Sequence, residues 1–386
     1  MRSHAVAAVS PASDPELYIE CALDLYRHYQ QSALRGRPLI INTPGWVLGT
    51  GLDLLTELTS KLGPTDVIYM SEDGPNETVE ALKATAKGNF GTLPSQQSEF
   101  TTRTAIHLRA MQAMAYFHTV QRPGSGDLSW TSEPLAAMPP LQVRYSGEKQ
   151  GILGILSYEL QPSAELLAET INGSILAIVE IEDAKAFRDL FHGIQEPQSS
   201  GDDNNDGAMD IDEDDEGKRL DLAAAVGTQI ARTPEDIPFI PNPDSRSLDP
   251  RYSRSLGLVL LRGIDVANRS LQVLTPVPLS LIEESRRNGR HLVLVHGRFD
   301  TPGWAYTEDA YAQSFTEGAN DEGTVEIADG DTDSDDSADE PEKLEERTDF
   351  ATPWVEVLRG SEKRPVGSRV WRVRRDLGKA GPGGGD

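Results

Sequence analysis

Leu17, Cys21, Leu25 and Tyr29 recur every four residues behind Ser13-Asp14-Pro15-Glu16. That spacing predicts a helix over 14–31, with a capping box at its start and a proline in the first turn, where an N–H is not needed. The next apolar run, RPLIIN at 37–42, reads as a buried strand. Leu54, Leu55, Leu58 and Leu62 then supply the inward stripe of a second helix, which Gly63-Pro64 ends, and TDVIYM at 65–70 reads as the following strand. Strand, helix and strand in so short a span predict a βαβ unit, whose ligands lie beyond the carboxyl ends of its strands. The turn Asn42-Thr43-Pro44-Gly45-Trp46 falls at such an end, so its residues are site candidates on position alone.

Further helices are expected near 77–87 and over 101–118, the second turning Ile106, Ala110, Met114 and Phe117 inward. The Pro- and Gly-rich stretch 122–140 reads as a linker or edge loop. Beyond it the texture changes to short β-rich runs divided by turn residues: LQVRYSG, GILGILSYEL, SILAIVEI, LGLVLLRGID, SLQVLTPV and HLVLVHGRF. They predict a mostly β domain over 141–358 behind an α/β portion over 1–121. TPGW recurs at 301–304, but two copies in unlike surroundings do not make a repeat architecture.

Charge redraws this picture in two places. Residues 202–216 carry nine acids and no base, and 317–346 carry fourteen acids and one lysine, so −22 of the formal −26 sits in two tracts. Such tracts repel themselves and have little apolar surface to bury, which predicts disordered insertions at about 197–219 and 316–347. They read either as solubilising insertions or as flexible acidic decoys that compete with RNA or basic partners for binding. In contrast, 359–386 is basic, with eight bases and two acids between Arg359 and Lys379. The single cysteine, Cys21, excludes an internal disulfide and a cysteine-rich metal site, and its place on an apolar helix face fits a small core residue. The opening MRSHAVAAVSPASDP has no long apolar stretch, so neither a signal peptide nor a membrane span is expected.

PLIINTPGWVLGTG at 38–51 has the layout of a phosphate-cradling loop, an apolar run breaking into a glycine-spaced turn before a helix. That chemistry requires a lysine and then a serine or threonine at the helix entrance, and Thr50 and Gly51 stand there instead. No stretch of the 386 residues fits GxxxxGK[ST].

Six segments in order, SPASDPELYIECALDLYRHY, PLIINTPGWVLGTGLDLL, PTDVIYM, TRTAIHLRAMQAMAYFH, LGLVLLRGIDVANRSLQVLTPVP and GSRVWRVRR, resemble the polynucleotide 5′-hydroxyl kinases. The nearest likeness is to the nucleolar branch that processes pre-ribosomal RNA. The resemblance implies a fold of α/β class, a partial P-loop-kinase-like parallel sheet with helices followed by a mostly β C-terminal domain. It implies ATP and Mg2+ as cofactors and the 5′-hydroxyl end of RNA as acceptor. In the family the P-loop precedes the SPxxDP helix, so the chain is expected to begin partway through the kinase domain.

Residue by residue, Arg103 and Arg109 match the family's lid segment and are the candidate catalytic phosphate contacts, with solvated helix charges as the alternative. On one continuous helix they would point about 120° apart, so they share one anion only if the helix starts between them; with Thr102 or Thr104 as N-cap, Arg103 would stand at the helix entrance and both could reach it. Trp46 matches the place where the family clasps an RNA base, with Thr43 and Asn42 beside it; the other reading is a tryptophan that plugs the gap between turn and helix. His107 reads as helix surface. In the tail, Trp371, Arg374 and Arg375 match a segment that reaches into a HEPN-type endoribonuclease partner, the alternative being a basic RNA-binding or nuclear-import tail. The implied location is the nucleus and nucleolus. Two functions follow from these residues: an RNA 5′-kinase whose nucleotide site is supplied elsewhere, or a non-catalytic scaffold that binds RNA and activates the nuclease.

Overall fold

A computed structural model describes residues 1–32, 35–71, 74–95, 104–121, 128–147, 150–158, 161–191, 226 and 229–308. Arg103, both acidic tracts and the tail with Trp371, Arg374 and Arg375 lie outside the described residues.

Helix α1 spans Pro15–Gln31, and Asp14, not Ser13, is its cap: the Asp14 carboxylate accepts from the Leu17 N–H at 3.0 Å. Leu17 and Cys21 are buried, whereas Leu25 is 39% exposed. A row of every fourth residue turns about 40° per step around a helix, so the predicted stripe drifts out of the core by its third member. Ile19 instead faces helix α2, Thr50–Leu62, where it meets Leu54, Leu58 and Leu62. Gly63 closes α2 in the left-handed conformation (φ 56°, ψ 54°), its N–H bonded to the Thr59 carbonyl.

The βαβ unit lies one step further along the chain than the apolar pattern suggested. Strands β1 (Asp66–Tyr69) and β2 (Asn89–Thr92) pair in parallel and are joined through α3 (Asn76–Thr85). Gly88 is required at the turn into β2, since a Cβ there would stand 2.0 Å from the Thr65 carbonyl oxygen. Residues 37–42, expected as a buried strand, form no strand pairing among the described residues, and Leu39, Ile40 and Ile41 are 43, 91 and 45% exposed. A β-branched apolar run becomes a strand only where a neighbouring strand takes up its N–H and C=O groups, and β1 and β2 are paired with each other.

Helix α4 spans Ala105–Phe117. Ile106, expected inward, is 63% exposed, because α4 meets the rest of the molecule through Ala110, Ala113, Met114, Tyr116 and Phe117 in its second half. It runs into the hairpin of β3 (Thr119–Gln121) and β4 (Leu128–Trp130). Leu135, in the stretch read as a linker, is 1% exposed and packs with Phe117 and Trp304.

All six predicted β runs are strands of one eight-stranded sheet, in the order β5-β11-β10-β7-β12-β6-β9-β8. These are β5 (Leu141–Arg144), β6 (Gly154–Ser157), β7 (Ile175–Ile181), β8 (Ala231–Arg232), β9 (Pro238–Ile240), β10 (Ser253–Asp265), β11 (Ser270–Leu274) and β12 (His291–His296). β6 pairs in parallel with β9 and β12, and the remaining pairs are antiparallel. Laid flat, eight strands at about 4.8 Å spacing would hold the outer two roughly 34 Å apart. Here the Tyr145 hydroxyl, just past β5, donates to the Glu235 carbonyl between β8 and β9 at 3.0 Å. The sheet is therefore curled until its edges meet.

Two cores follow from the alternation of side chains across this sheet. Inside the curl, Leu176, Ile178, Leu261, Leu271 and Leu294 pack with Leu167 and Ile171 of α5 (Leu167–Ile171) and with Leu281 and Ile282 of α6 (Leu279–Arg287). On the outer face, Ala177, Val179, Ile181, Val293 and Val295 take Leu17 and Cys21 of α1 together with Ala7. Tyr116 of α4 pins a third contact: its hydroxyl accepts from the Leu258 N–H at 2.8 Å, where β10 is bulged between Ser255 and Gly257.

Candidate functional site

Arg109 projects from α4 to the loop after β12. Its Nε donates to Asp300 Oδ2 at 2.6 Å and its Nη2 to Oδ1 at 3.5 Å, a two-point contact along one edge of the guanidinium. The two side chains keep 36 and 41% of their surface. The helix start required for Arg103 and Arg109 to share a ligand is present. Thr104 is the N-cap, accepting from the His107 N–H at 3.4 Å, while His107 Nδ1 takes the Thr104 N–H at 3.5 Å. His107 is thus occupied in a capping box.

Asn42 and Thr43 are exposed and Trp46 is half-buried. The Trp46 indole lies over Gly51, the second residue of α2, where a Cβ would come within 2.6 Å of the ring. The buried Thr78 of α3 donates its hydroxyl to the Val47 carbonyl at 3.2 Å, fixing the outgoing side of the turn. The tryptophan therefore does fill the gap between turn and helix, and part of it stays open to solvent. Contacts of this turn run to α2 and α3, those of Arg109 to the β12 loop, and the two groups share no partner among them. The second tryptophan of a TPGW, Trp304, is buried against Phe117 with ring centroids 6.1 Å apart. Identical tetrapeptides thus serve an open turn in one place and a core in the other.

Other titratable groups near α4 have structural work. His118 is buried, with Nδ1 3.0 Å from the Thr131 carbonyl and Nε2 2.6 Å from Glu308, and its ring stacks on Trp130. Glu308 also accepts from the Leu135 N–H at 2.7 Å. An imidazole held from both sides in this way ties the helix end, the hairpin and the last described turn together. Burial pushes the Cys21 thiol up, which leaves it an inert core group.

Asp300 and Glu308 escaped the sequence reading. Asp300 carried one usable signal, its place just past the carboxyl end of a β run, HLVLVHGRFD, where α/β sheets present ligand contacts.

Among the described residues no group matches the donors expected around ATP and Mg2+. The sequence has no GxxxxGK[ST], and no group of three His, Cys, Asp or Glu able to hold a metal occurs among the described residues. No described helix is long and apolar enough to cross a membrane.

Residues 1–119 match the family model of the mRNA cleavage and polyadenylation factor CLP1 P-loop. Over 99% of its length the chain is 48% identical to polynucleotide 5′-hydroxyl-kinase GRC3 of Gibberella zeae, covering 50% of that protein. It is 36% identical to the grc3 protein of Aspergillus niger, again over 99% of the chain and 49% of the relative, and 35% identical to that of Aspergillus fumigatus over 99% and 50%. The chain spans about half the length of these curated relatives. By sequence the chain is thus similar, along nearly its whole length, to curated proteins named polynucleotide 5′-hydroxyl kinase, and its first 119 residues match the CLP1 P-loop family model.

Proposed function

We propose that the chain is the acceptor-holding part of an ATP-dependent polynucleotide 5′-hydroxyl kinase that acts on RNA during pre-ribosomal RNA processing. The observation that carries this reading is the 48% identity, across 99% of the chain, to a protein named as such a kinase. Phosphoryl transfer depends on positioning and charge neutralisation, and the chain offers groups for both. Trp46 supplies an indole face for a base next to the RNA end, a sequence-tolerant contact. Arg109 supplies a guanidinium edge that fits two phosphate oxygens. Arg103, one residue before the cap of α4, is the second arginine of this reading. The triphosphate pocket and its Mg2+ come from residues outside these 386. In this reading the basic segment with Trp371, Arg374 and Arg375 docks a HEPN-type endoribonuclease, and the work is done in the nucleolus.

Radiolabelled γ-phosphate transfer to a 5′-hydroxyl RNA oligonucleotide tests the reading. Transfer is expected when the chain is joined to the remaining half of a relative and not from the chain alone; transfer by the isolated 386 residues would show a nucleotide site that this reading leaves out. A second reading, a non-catalytic scaffold that binds RNA and activates the nuclease, is favoured by the absence of GxxxxGK[ST]. It predicts nuclease activation by the chain alone, lost on Trp371→Ala.

A further inference from the structure

We propose that Asp300 is a resident anion for Arg109. It occupies the guanidinium edge that a phosphate would take, so the ion pair must open before Arg109 can bind phosphate, and only a strongly charged terminal phosphate opens it readily. The proposal rests on the reading of Arg109 as a phosphate contact.

Three observations carry it. The first is geometry: Nε and Nη2 meet the two Asp300 oxygens side by side, the same fork that binds two oxygens of a phosphate. The second is exposure. With 36 and 41% of the side chains open, the pair is within reach of a dissolved anion, and solvent screening leaves it little stability of its own. Glu180, with 0% exposure beneath Arg254 and Arg290, shows the opposite case, a carboxylate that cannot swing out to solvent and leave its arginines to another anion.

The third is placement. Phe299 packs into the core on one side of Asp300, and Trp304 is buried against Phe117 of α4 on the other. The loop is anchored at both flanks, so Asp300 can leave Arg109 without the loop coming away from the helix. A backbone phosphodiester carries one negative charge, as the aspartate does, and gains little by displacing it. A terminal phosphomonoester carries about −1.5 to −2 at neutral pH and displaces it more easily. Asp300 would then make Arg109 selective for a phosphorylated end over the RNA backbone.

The test is fluorescence anisotropy on the full chain with one short labelled RNA bearing either a 5′-phosphate or a 5′-hydroxyl, against wild type, Asp300→Asn, Arg109→Gln and the double variant. Asp300→Asn is expected to tighten both RNAs, by up to about fivefold, and to narrow the preference for the phosphorylated end. In the Arg109→Gln background the same change should do nothing. Inorganic phosphate is added as competitor: displacement by it at millimolar concentration identifies the free anion as sufficient ligand, and failure to displace assigns recognition to the phosphorylated RNA end. If Arg109→Gln weakens binding while Asp300→Asn leaves it unchanged or weaker, Arg109 remains a phosphate contact and the exchange is refuted. If Arg109→Gln has no effect, the phosphate reading of Arg109 is lost and the exchange with it.

Discussion

Trp46 shows how far a residue can be read on its own. Its place at a strand end marked it as a site candidate and the family resemblance as a base platform, and the same indole lies over Gly51 where the turn meets α2. The two uses are separable by experiment. Trp46→Ala is expected to weaken single-stranded RNA binding by about 1–3 kcal/mol in a titration that leaves the Arg109 contact intact. Unchanged affinity together with a lower unfolding midpoint would leave the indole only its packing role. Arg109 was legible as a charged helix residue, but its partner lies 191 positions away in sequence. No local pattern encodes such a pairing, and it appears only once β12 has delivered the Asp300 loop to α4.

Among elements, those with a strong internal period were legible and those that depend on a neighbour were not. Helices α1 and α2 and the six β runs follow from spacing, turn residues and caps. RPLIIN failed because a strand is a property of two segments, and its apolar letters carry no record of whether the second is present. The bulge in β10 was equally invisible, yet it sets where α4 docks. Gly257 has φ +152°, and a Cβ there would stand 2.5 Å from both the Tyr116 hydroxyl and Val277 Cγ2. Tyr116→Phe should therefore cost roughly 1–3 kcal/mol in urea unfolding, because the Leu258 N–H loses its acceptor. Gly257→Ala should cost more, since it displaces both Tyr116 and the buried Val277. Equal midpoints for wild type and Tyr116→Phe would show that α4 is held by its apolar contacts alone.

For the whole molecule, a chain of buried and half-buried charges joins the N-terminal residues to the sheet. Arg2 pairs with Asp24 of α1 and, at 2.9 Å, with Glu182, while His4 sits 2.9 Å from Asp24. Glu180 is clasped by Arg254 and, at 3.2 Å, by Arg290. Burial lowers the His4 imidazole below its ordinary value in spite of Asp24, and burial alone lowers His296. Burial pushes the Glu180 and Asp249 carboxyls up, but arginine hydrogen bonds, from Arg254 and Arg251 first, bring both below the usual carboxylate range. A depressed folded-state histidine contributes stability above about pH 6.5 that is lost as pH falls, because the unfolded chain takes up the proton first. The depressed carboxylates add a second loss below about pH 4. Urea midpoints measured from pH 8 to pH 3 should fall in two stages, and a flat profile from pH 8 to pH 5 would remove both histidines from this account. None of these partners was legible in the sequence, where −22 of the formal −26 sits in two tracts remote in sequence from every one of them.

The first eight residues also lie along the sheet. The Ser3 carbonyl accepts from the Ser255 N–H at 2.7 Å and the Ser3 hydroxyl donates to the Ser255 carbonyl, Ala7 is packed in the outer core, and Ala8 bridges in parallel to Arg298. Cα positions in the family-matched 1–119 and in the β-rich part are therefore stitched together from the outset, and excising the strands from 141 onward as a stand-alone unit would strip the outer sheet face of its cover. Residues 1–8 and helix α1 thus belong to the fold of the sheet as much as to the family-matched portion.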